Sequence, residues 1–148
     1  HAIKAFLTRL QGVGFRGWRW DLVKGFAGRY VGEYIEASGG LFSVGECFES
    51  NRQVVCDWID STGGRCAAFD FPTRYRLYDA LVHNHFGGLC DFSGERPRAG
   101  GLIGLWPTMA VTFVDNHDTE YTREHEHEAN YDATRHFPGR WVDTAYAY

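Results

Sequence analysis

The sequence has few of the features that mark membrane, nucleic-acid-binding or zinc-binding proteins. No stretch approaches the roughly 18 apolar residues of a membrane-spanning helix. The net charge of -4, from 15 Lys and Arg against 19 Asp and Glu, lacks the basic surplus of a nucleic-acid-binding domain. We therefore expect neither a membrane nor a nucleic acid among its partners. The cysteines form no C-x-x-C pair and no zinc-ribbon spacing, and they are Cys47, Cys56, Cys66 and Cys90.

These cysteines favour ordinary thiols, but their even number leaves disulfides open if the protein is secreted. The first residues, HAIKAFLTRL, have neither an initiator methionine nor the layout of a signal peptide, so we expect a piece of a longer polypeptide. With 148 residues, 44% hydrophobic and 16% aromatic, the chain can bury a sizeable core. We expect one domain over residues 1–148 and no second domain.

Amphipathic helices alternate four times with short strands. The order predicts βα units and a parallel sheet, hence an α/β protein. Because no G-x-G-x-x-G loop follows a strand, we favour a (β/α)8 TIM barrel over a doubly wound sheet. A complete barrel needs about 250 residues, so four βα units make about half of one. The predicted helices lie within 1–14, 25–40, 51–64 and 75–88, and the predicted strands are 17–21, 41–46, 66–71 and 110–114.

The stretch GFRGWRWDLVKGF places charges inside an apolar strand. Side chains two apart share a face, so Arg19 and Asp21 are expected to point into the barrel. Trp18 and Trp20 then point outwards, against the helices. Because charges are rarely buried without a partner, Arg19 and Asp21 form either a structural ion pair or a working site.

Acidic residues also follow two other predicted strands. Asp21 ends the first, Glu46 ends LFSVGE, and Asn116, His117 and Asp118 follow AVTFV. Taken alone, each carboxylate suits a helix N-cap or a loop. Together they occupy three strand ends at the rim where barrel enzymes keep catalytic groups, which predicts one shared site.

Two carboxyl groups on neighbouring strands suit glycosidic chemistry. One protonates the departing oxygen, and the other attacks the anomeric carbon when about 5 Å separates them. The attacking group must stay ionised, and Arg19 beside Asp21 favours that charged form.

Three short motifs carry a resemblance to a known family. R-x-D, G-E and N-H-D occur in this order, and at these residues the chain resembles a plant-type α-amylase of glycoside hydrolase family 13, over the fourth to seventh barrel strands. The resemblance implies endo-acting, retaining hydrolysis of α-1,4-glucosidic bonds in starch- or glycogen-type glucans. Such enzymes are secreted, plastidic or cytosolic, so the compartment stays open. The matching segments are GFRGWRWDLVKGF, FSVGECFES, NRQVVCDWIDSTGG, AFDFPT, GGLIGLWPTMAVTFVDNHDT and HFPGRWVDTAYAY.

The resemblance also implies a role for each matching residue. Asp21 is the expected nucleophile and Glu46 the general acid/base. Asp118, helped by His117, is expected to bind sugar hydroxyls and stabilise the transition state. Arg19 is expected to hydrogen-bond to the nucleophile.

Three further positions have weaker assignments. Lys24 is expected to line the leaving-group side of the cleft. The backbone carbonyl of Gly25 is expected to bind the structural calcium of plant-type amylases, whose other ligands mostly lie outside this chain. Phe48 stands where plant enzymes often carry tryptophan, and it either stacks against a sugar or packs under a loop.

The sequence departs from the family pattern in two regions. Leu105-Trp106 replaces paired tryptophans and Met109 replaces a common lysine, so remote substrate contacts are expected to differ. Residues 120–136 resemble an insertion in which acidic and histidine residues alternate, and we weigh a metal site there against a solvated loop. The residues concerned are Glu124, His125, Glu126, His127, Glu128 and His136.

Two other function classes remain open. An amylase-derived piece could serve as a non-catalytic component of a larger assembly, with the remainder of a barrel or a complex as its partner. A glucan-binding module fits less well, because binding alone needs no paired acid and nucleophile. An isolated half-barrel would leave two sheet edges unpaired, so we expect no stable enzyme from these residues alone.

Overall fold

A computed structural model describes residues 2–119 of the chain. Helices and parallel strands alternate along it, as the sequence predicts. The helices are α1 Ala2–Gly12, α2 Gly28–Ser38, α3 Arg52–Ser61 and α4 Phe71–His83, and short 3-10 helices cover Val23–Gly25, Phe86–Leu89, Leu102–Gly104 and Pro107–Met109. The strands are β1 Gly17–Trp20, β2 Phe42–Gly45, β3 Ala67–Phe69, β4 Cys90–Asp91, β5 Arg98–Ala99 and β6 Ala110–Val111.

The main sheet has the order β1-β2-β3-β6, and every pairing in it is parallel. Strands β4 and β5 form a separate antiparallel hairpin. The strands of the main sheet follow one another in chain order, as in part of a barrel, so the predicted α/β class and parallel sheet are confirmed. Within residues 2–119 the sheet is open at β1 and β6, and the closed barrel stays a prediction.

The core lies between this sheet and the helices that cover it. Val31 of α2 and Val55 and Ile59 of α3 are fully buried in one cluster. Trp18 Nε1 donates to Ser38 Oγ of α2 at 2.8 Å, so the expected outward direction of that indole is confirmed.

Two more tryptophans lie in the same layer. Trp20 stacks on Tyr34 of α2 with ring centroids 5.9 Å apart, as expected for an outward-facing indole. Trp58 of α3 packs so closely on β2 that a Cβ added at Gly45 would lie 2.1 Å from its ring. Only glycine fits there, directly before Glu46.

Helix α1 confirms the helix predicted within residues 1–14, but little of its apolar stripe is buried. The stripe comprises Ile3, Phe6, Leu7 and Leu10, but only Leu7 is buried, and Ile3 and Phe6 are 49% and 58% exposed. In the described residues α1 packs against α2, with Lys4 Nζ 2.9 Å from Glu33 Oε2. One helical neighbour covers only part of an apolar stripe, which leaves Ile3 and Phe6 exposed in the described residues.

The predicted strand 66–71 is also too long. Strand β3 ends at Phe69, Asp70 caps α4, and the helix begins at Phe71, four residues before the predicted start. Pro72 suits the first turn of a helix because no hydrogen bond is lost there. The helix ends before Asn84, whose left-handed backbone (φ 59°) stops it short of the predicted residue 88.

All four cysteines are free thiols, as expected, and Cys90 alone is exposed. Burial raises the pKa of Cys66 to about 12 and that of Cys47 to about 11, so neither is a thiolate near neutral pH. In residues 2–119 no helix has the length and apolar character to span a bilayer. The alternating stretch 120–136 lies outside the described residues, so its metal site is untested.

Candidate active site

Asp21 and Glu46 meet at the carboxyl edge of the sheet, joined by one guanidinium group. Arg19 Nη1 donates to Asp21 Oδ1 at 2.7 Å, and Nη2 donates to Glu46 Oε1 at 2.8 Å. Parallel pairing sets this geometry, because Trp20 lies opposite Gly45 and the residue after each strand emerges at the same edge. Arg19 therefore forms the ion pair that the sequence suggested, with Glu46, which follows β2, as a second partner.

The two carboxyl groups have different surroundings. The side chain of Asp21 is 71% exposed, whereas that of Glu46 is only 6% exposed. The hydrogen bond from Arg19, followed by one shared with Glu46, holds the pKa of Asp21 below its usual range. Burial raises the pKa of Glu46, and the hydrogen bond with Asp21 adds to that shift. The pair therefore favours an ionised Asp21 beside a protonated Glu46.

Leu22 contributes its backbone to this pair. Its amide donates to Glu46 Oε2 at 3.2 Å. To do so it adopts a left-handed conformation (φ 47°, ψ 46°), which costs a non-glycine residue of the order of 1–3 kcal/mol. Sequence reasoning missed this contact, since nothing about leucine predicts a left-handed backbone.

The turn after β6 brings His117 and Asp118 to the same edge. His117 Nε2 lies 3.2 Å from Asp118 Oδ2. His117 is also close enough to Asp21 for its charge, when protonated, to contribute to the lowered pKa of that carboxyl. The structure thus bridges Asp21 and Glu46 through Arg19 and brings His117 near Asp21, while Asp118 contacts His117.

Lys24 and Phe48 belong to the loops beside this edge. Lys24 Nζ donates to the carbonyl of Phe48 at 3.2 Å and to Glu49 Oε2 at 3.0 Å. The Phe48 ring packs on Phe71 with centroids 4.2 Å apart and is half-buried. Of the two interpretations of Phe48, these contacts support packing, against helix α4 and not under a loop.

Gly25 ends the short 3-10 helix Val23–Gly25 and is exposed. In the part of the chain that the structure describes, no group of three or more His, Cys, Asp or Glu side chains could hold a metal ion. One backbone carbonyl falls short of the six to eight oxygens that Ca²⁺ prefers. The calcium site therefore stays a prediction, and no chemistry is derived through it.

Asp70 is a fourth acidic residue at a strand end, which sequence reasoning assigned to the strand itself. It is fully buried. Its Oδ1 accepts from the amides of Thr73 (2.8 Å) and Leu102 (3.0 Å), and its Oδ2 accepts from Thr73 Oγ1 (2.7 Å) and the Ile103 amide (2.9 Å). Through these four hydrogen bonds, Asp70 holds the segment after β5 against α4. The signal was present in D-F-P-T, an Asp N-cap followed by Pro.

Comparison with known proteins identifies relatives that are named as α-amylases or as a glucan 1,4-α-maltotetraohydrolase. The chain is 41% identical over 150 residues to probable α-amylase 2 of Arabidopsis thaliana, covering 92% of this chain and 33% of that protein. It is 40% identical over 130 residues to chloroplastic α-amylase 3 of the same plant, covering 78% of this chain and 14% of that protein. A glucan 1,4-α-maltotetraohydrolase of Roseateles saccharophilus is 32% identical over 126 residues, 75% of this chain and 21% of the bacterial protein.

No family model matches the chain. It spans a third or less of the length of these curated relatives. The name α-amylase that the two plant relatives share, and alignments that cover 92% and 78% of this chain, agree with the R-x-D, G-E and N-H-D motifs at the sheet edge. The chain therefore belongs to the α-amylases of glycoside hydrolase family 13, as a segment of that family's sequence.

Proposed function

We propose that the polypeptide carrying this sequence catalyses endo-acting, retaining hydrolysis of α-1,4-glucosidic bonds in starch- or glycogen-type glucans. The observation that carries this proposal is the Arg19 guanidinium, which bridges two carboxyl groups whose pKa values shift in opposite directions. The names of the relatives, α-amylase and glucan 1,4-α-maltotetraohydrolase, support a 1,4-linked glucan as the substrate.

In the proposed reaction, the Asp21 carboxylate attacks the anomeric carbon while Glu46 donates its proton to the departing glycosidic oxygen. A covalent glycosyl-aspartate forms and the shortened glucan leaves. Glu46, now ionised, takes a proton from a water whose oxygen attacks the anomeric carbon, and Asp21 is released as a carboxylate. The reaction consumes one water and inverts the anomeric carbon twice, which retains its configuration.

The Arg19 bridge between the carboxyl groups favours retention over inversion. Inverting enzymes separate their carboxyl groups by about 6.5–9.5 Å to admit a water, whereas retaining enzymes hold them at about 5–5.5 Å. Asp21 and Glu46 accept from the two terminal nitrogens of one guanidinium, at 2.7 and 2.8 Å, which supports the shorter spacing.

The other residues have supporting roles in this proposal. Asp118 and His117 bind sugar hydroxyls beside Asp21 and stabilise the positive charge of the transition state. Lys24, held by Glu49, lines the leaving-group side. Gly25 would offer its carbonyl to a structural calcium ion whose other ligands lie elsewhere, and the four-stranded sheet forms part of a (β/α)8 barrel.

The test is cleavage of an end-blocked maltooligosaccharide by the full natural polypeptide. Asp21→Asn keeps the size of the side chain but removes the nucleophile, so we expect kcat to fall by at least about 1,000-fold. Asp57→Asn is the matched control, because Asp57 is an exposed aspartate of α3 that bonds Gln53. If Asp21→Asn were as active as the control, the mechanism would be wrong. Glucan binding without turnover by the unsubstituted polypeptide would support the non-catalytic alternatives.

A further inference from the structure

Arg74 is a fully buried arginine of α4 that no step of the proposed reaction uses. Its Nη2 donates to the backbone carbonyl of Thr119 at 3.4 Å. Its guanidinium also lies over two aromatic rings, 5.5 Å from the centroid of Tyr78 and 5.8 Å from that of Tyr75. These contacts place a permanent positive charge underneath the turn that follows β6.

That turn is closed by its own hydrogen bonds. Asp115 Oδ1 accepts from Thr119 Oγ1 at 2.7 Å and from the Asn116 amide at 3.1 Å. The Thr119 amide donates to the Asn116 carbonyl at 3.1 Å, and the Asp118 amide donates to Asn116 Oδ1 at 3.0 Å. His117 and Asp118 lie at the exposed top of this turn.

Two groups of the turn compensate the charge of Arg74, namely the Asp115 carboxylate and the Thr119 carbonyl. A buried cation is costly unless polar groups compensate it. Burial lowers the pKa of Arg74, and the negative charge of Asp115 opposes that shift. Arginine nevertheless stays protonated in proteins. The carboxylate at one end of the turn and the carbonyl at the other therefore both interact with one buried cation.

We propose that Arg74 is a positioning residue, which holds the turn 115–119 in the shape that keeps His117 near Asp21 and Asp118 next to His117. The catalytic consequence rests on the proposed function, whereas the effect on the turn does not. Arg74 lies too deep to touch the substrate, so it acts only through the turn.

The first measurement is hydrogen–deuterium exchange of the full natural polypeptide, with peptides that cover residues 115–119. Arg74→Met keeps the apolar stem and removes the charge. We expect exchange in the turn to become on the order of tenfold faster, as for the loss of one hydrogen bond to a charged group. Peptides from α3 should be unaffected. Arg74→Lys keeps the charge without the planar fork and should give a smaller increase.

The matched control is Arg76→Met, two residues along the same helix. Arg76 packs towards the hairpin instead, since a Cβ at Gly100 would lie 2.8 Å from its Cδ. We expect normal exchange in the turn of this variant. Equal exchange in the turn of Arg74→Met and the unsubstituted protein would overturn the proposal, as would equal effects of Arg74→Met and Arg76→Met.

The second measurement is the hydrolysis of the blocked maltooligosaccharide. Misplacement of substrate-binding groups by about 1 Å costs up to about 100-fold in rate, so kcat/KM of Arg74→Met should fall by about 10- to 100-fold, with partial recovery in Arg74→Lys. A fall confined to the amount of folded enzyme, with unchanged kcat and KM, would contradict the positioning role. If the unsubstituted polypeptide shows no hydrolysis, the proposed function fails, and the exchange data still decide whether Arg74 holds the turn.

Should Arg74→Met not fold, Asp115→Asn provides the same test from the other partner. The amide keeps an oxygen acceptor for Thr119 and Asn116 but loses the charge opposite Arg74. We expect faster exchange in the turn, by a smaller factor than for Arg74→Met. Unchanged exchange in this variant would show that the charge pairing does not hold the turn.

Discussion

At the scale of single residues, the protonation states of Asp21 and Glu46 depend on the same neighbour. Arg19 stabilises the ionised form of Asp21 through a hydrogen bond and its charge, and its charge also opposes the upward shift that burial gives Glu46. The proposed reaction needs Asp21 ionised and Glu46 protonated. We therefore expect the proposed activity to be confined to the pH interval between the two pKa values.

This interval predicts a bell-shaped dependence of kcat/KM on pH. The acidic limb should lie below about 3.9, the ordinary value for Asp, and the alkaline limb above about 4.3, the ordinary value for Glu. Arg19→Met removes a positive charge that lowers both pKa values, so both limbs should move to higher pH. The measurement is the pH profile of maltooligosaccharide hydrolysis by the full natural polypeptide, with Arg29→Met, an exposed arginine stacked on Tyr30, as the control. An acidic limb that stays in place in Arg19→Met would contradict the assignment of Asp21.

At the scale of secondary-structure elements, helices α2, α3 and α4 differ in how their N-termini are capped. Asn51 caps α3, and its side chain accepts the Gln53 amide at 2.9 Å. Asp70 caps α4 in the same manner. Ala27 precedes α2 with a suitable extended backbone (φ -69°, ψ 129°) but has no side chain that can accept a hydrogen bond. One helix start is therefore left with amides that no side chain caps.

Two substitutions test these caps from opposite directions. Asn51→Ala should lower the free energy of unfolding by about 1 kcal/mol, because the first turn of α3 loses an acceptor. Ala27→Ser should raise it by about the same amount or less, because Ala27 is exposed and already has cap geometry. Urea unfolding of the full natural polypeptide measures both, and Asn51→Asp, which keeps the acceptor, is the control. A loss of stability in Ala27→Ser would show that another contact sets the start of α2.

At the scale of the whole molecule, residues 2–119 leave two sheet edges unpaired and several large apolar side chains exposed to solvent. Strand β1 pairs only with β2, and β6 only with β3. Exposed strand edges and apolar surface favour association. The exposed side chains include Ile3, Phe6, Val13, Phe15, Leu41 and Phe42.

We therefore expect residues 1–148, produced alone, to associate and to show no hydrolysis. Size-exclusion chromatography should find oligomers, and binding of the dye ANS should report exposed apolar surface. Phe6→Ser should weaken this association without unfolding α1, because Leu7 and not Phe6 is the buried residue of that helix. A monomer that unfolds cooperatively in urea and cleaves the maltooligosaccharide would refute the prediction.

Local pattern alone was enough to predict part of the geometry at this edge of the sheet. The twofold repeat of a strand placed Arg19 with Asp21 and directed Trp18 towards a helix, and both are found. The alternation of helices and strands predicted a parallel sheet, and parallel strands deliver Asp21 and Glu46 to one edge. These features follow from periodicity and strand direction, which depend on residues near one another in the chain.

Other features depend on partners far along the chain, so only the tertiary structure decided them. The Leu22 amide reaches Glu46, the Asp70 carboxylate gathers donors from Leu102 and Ile103, and Arg74 lies under Thr119. In each case a buried or strained group is stable because a distant segment supplies its hydrogen bond. Residue type and spacing predict which strand ends carry charged side chains. The tertiary structure determines which of those side chains form hydrogen bonds with distant segments.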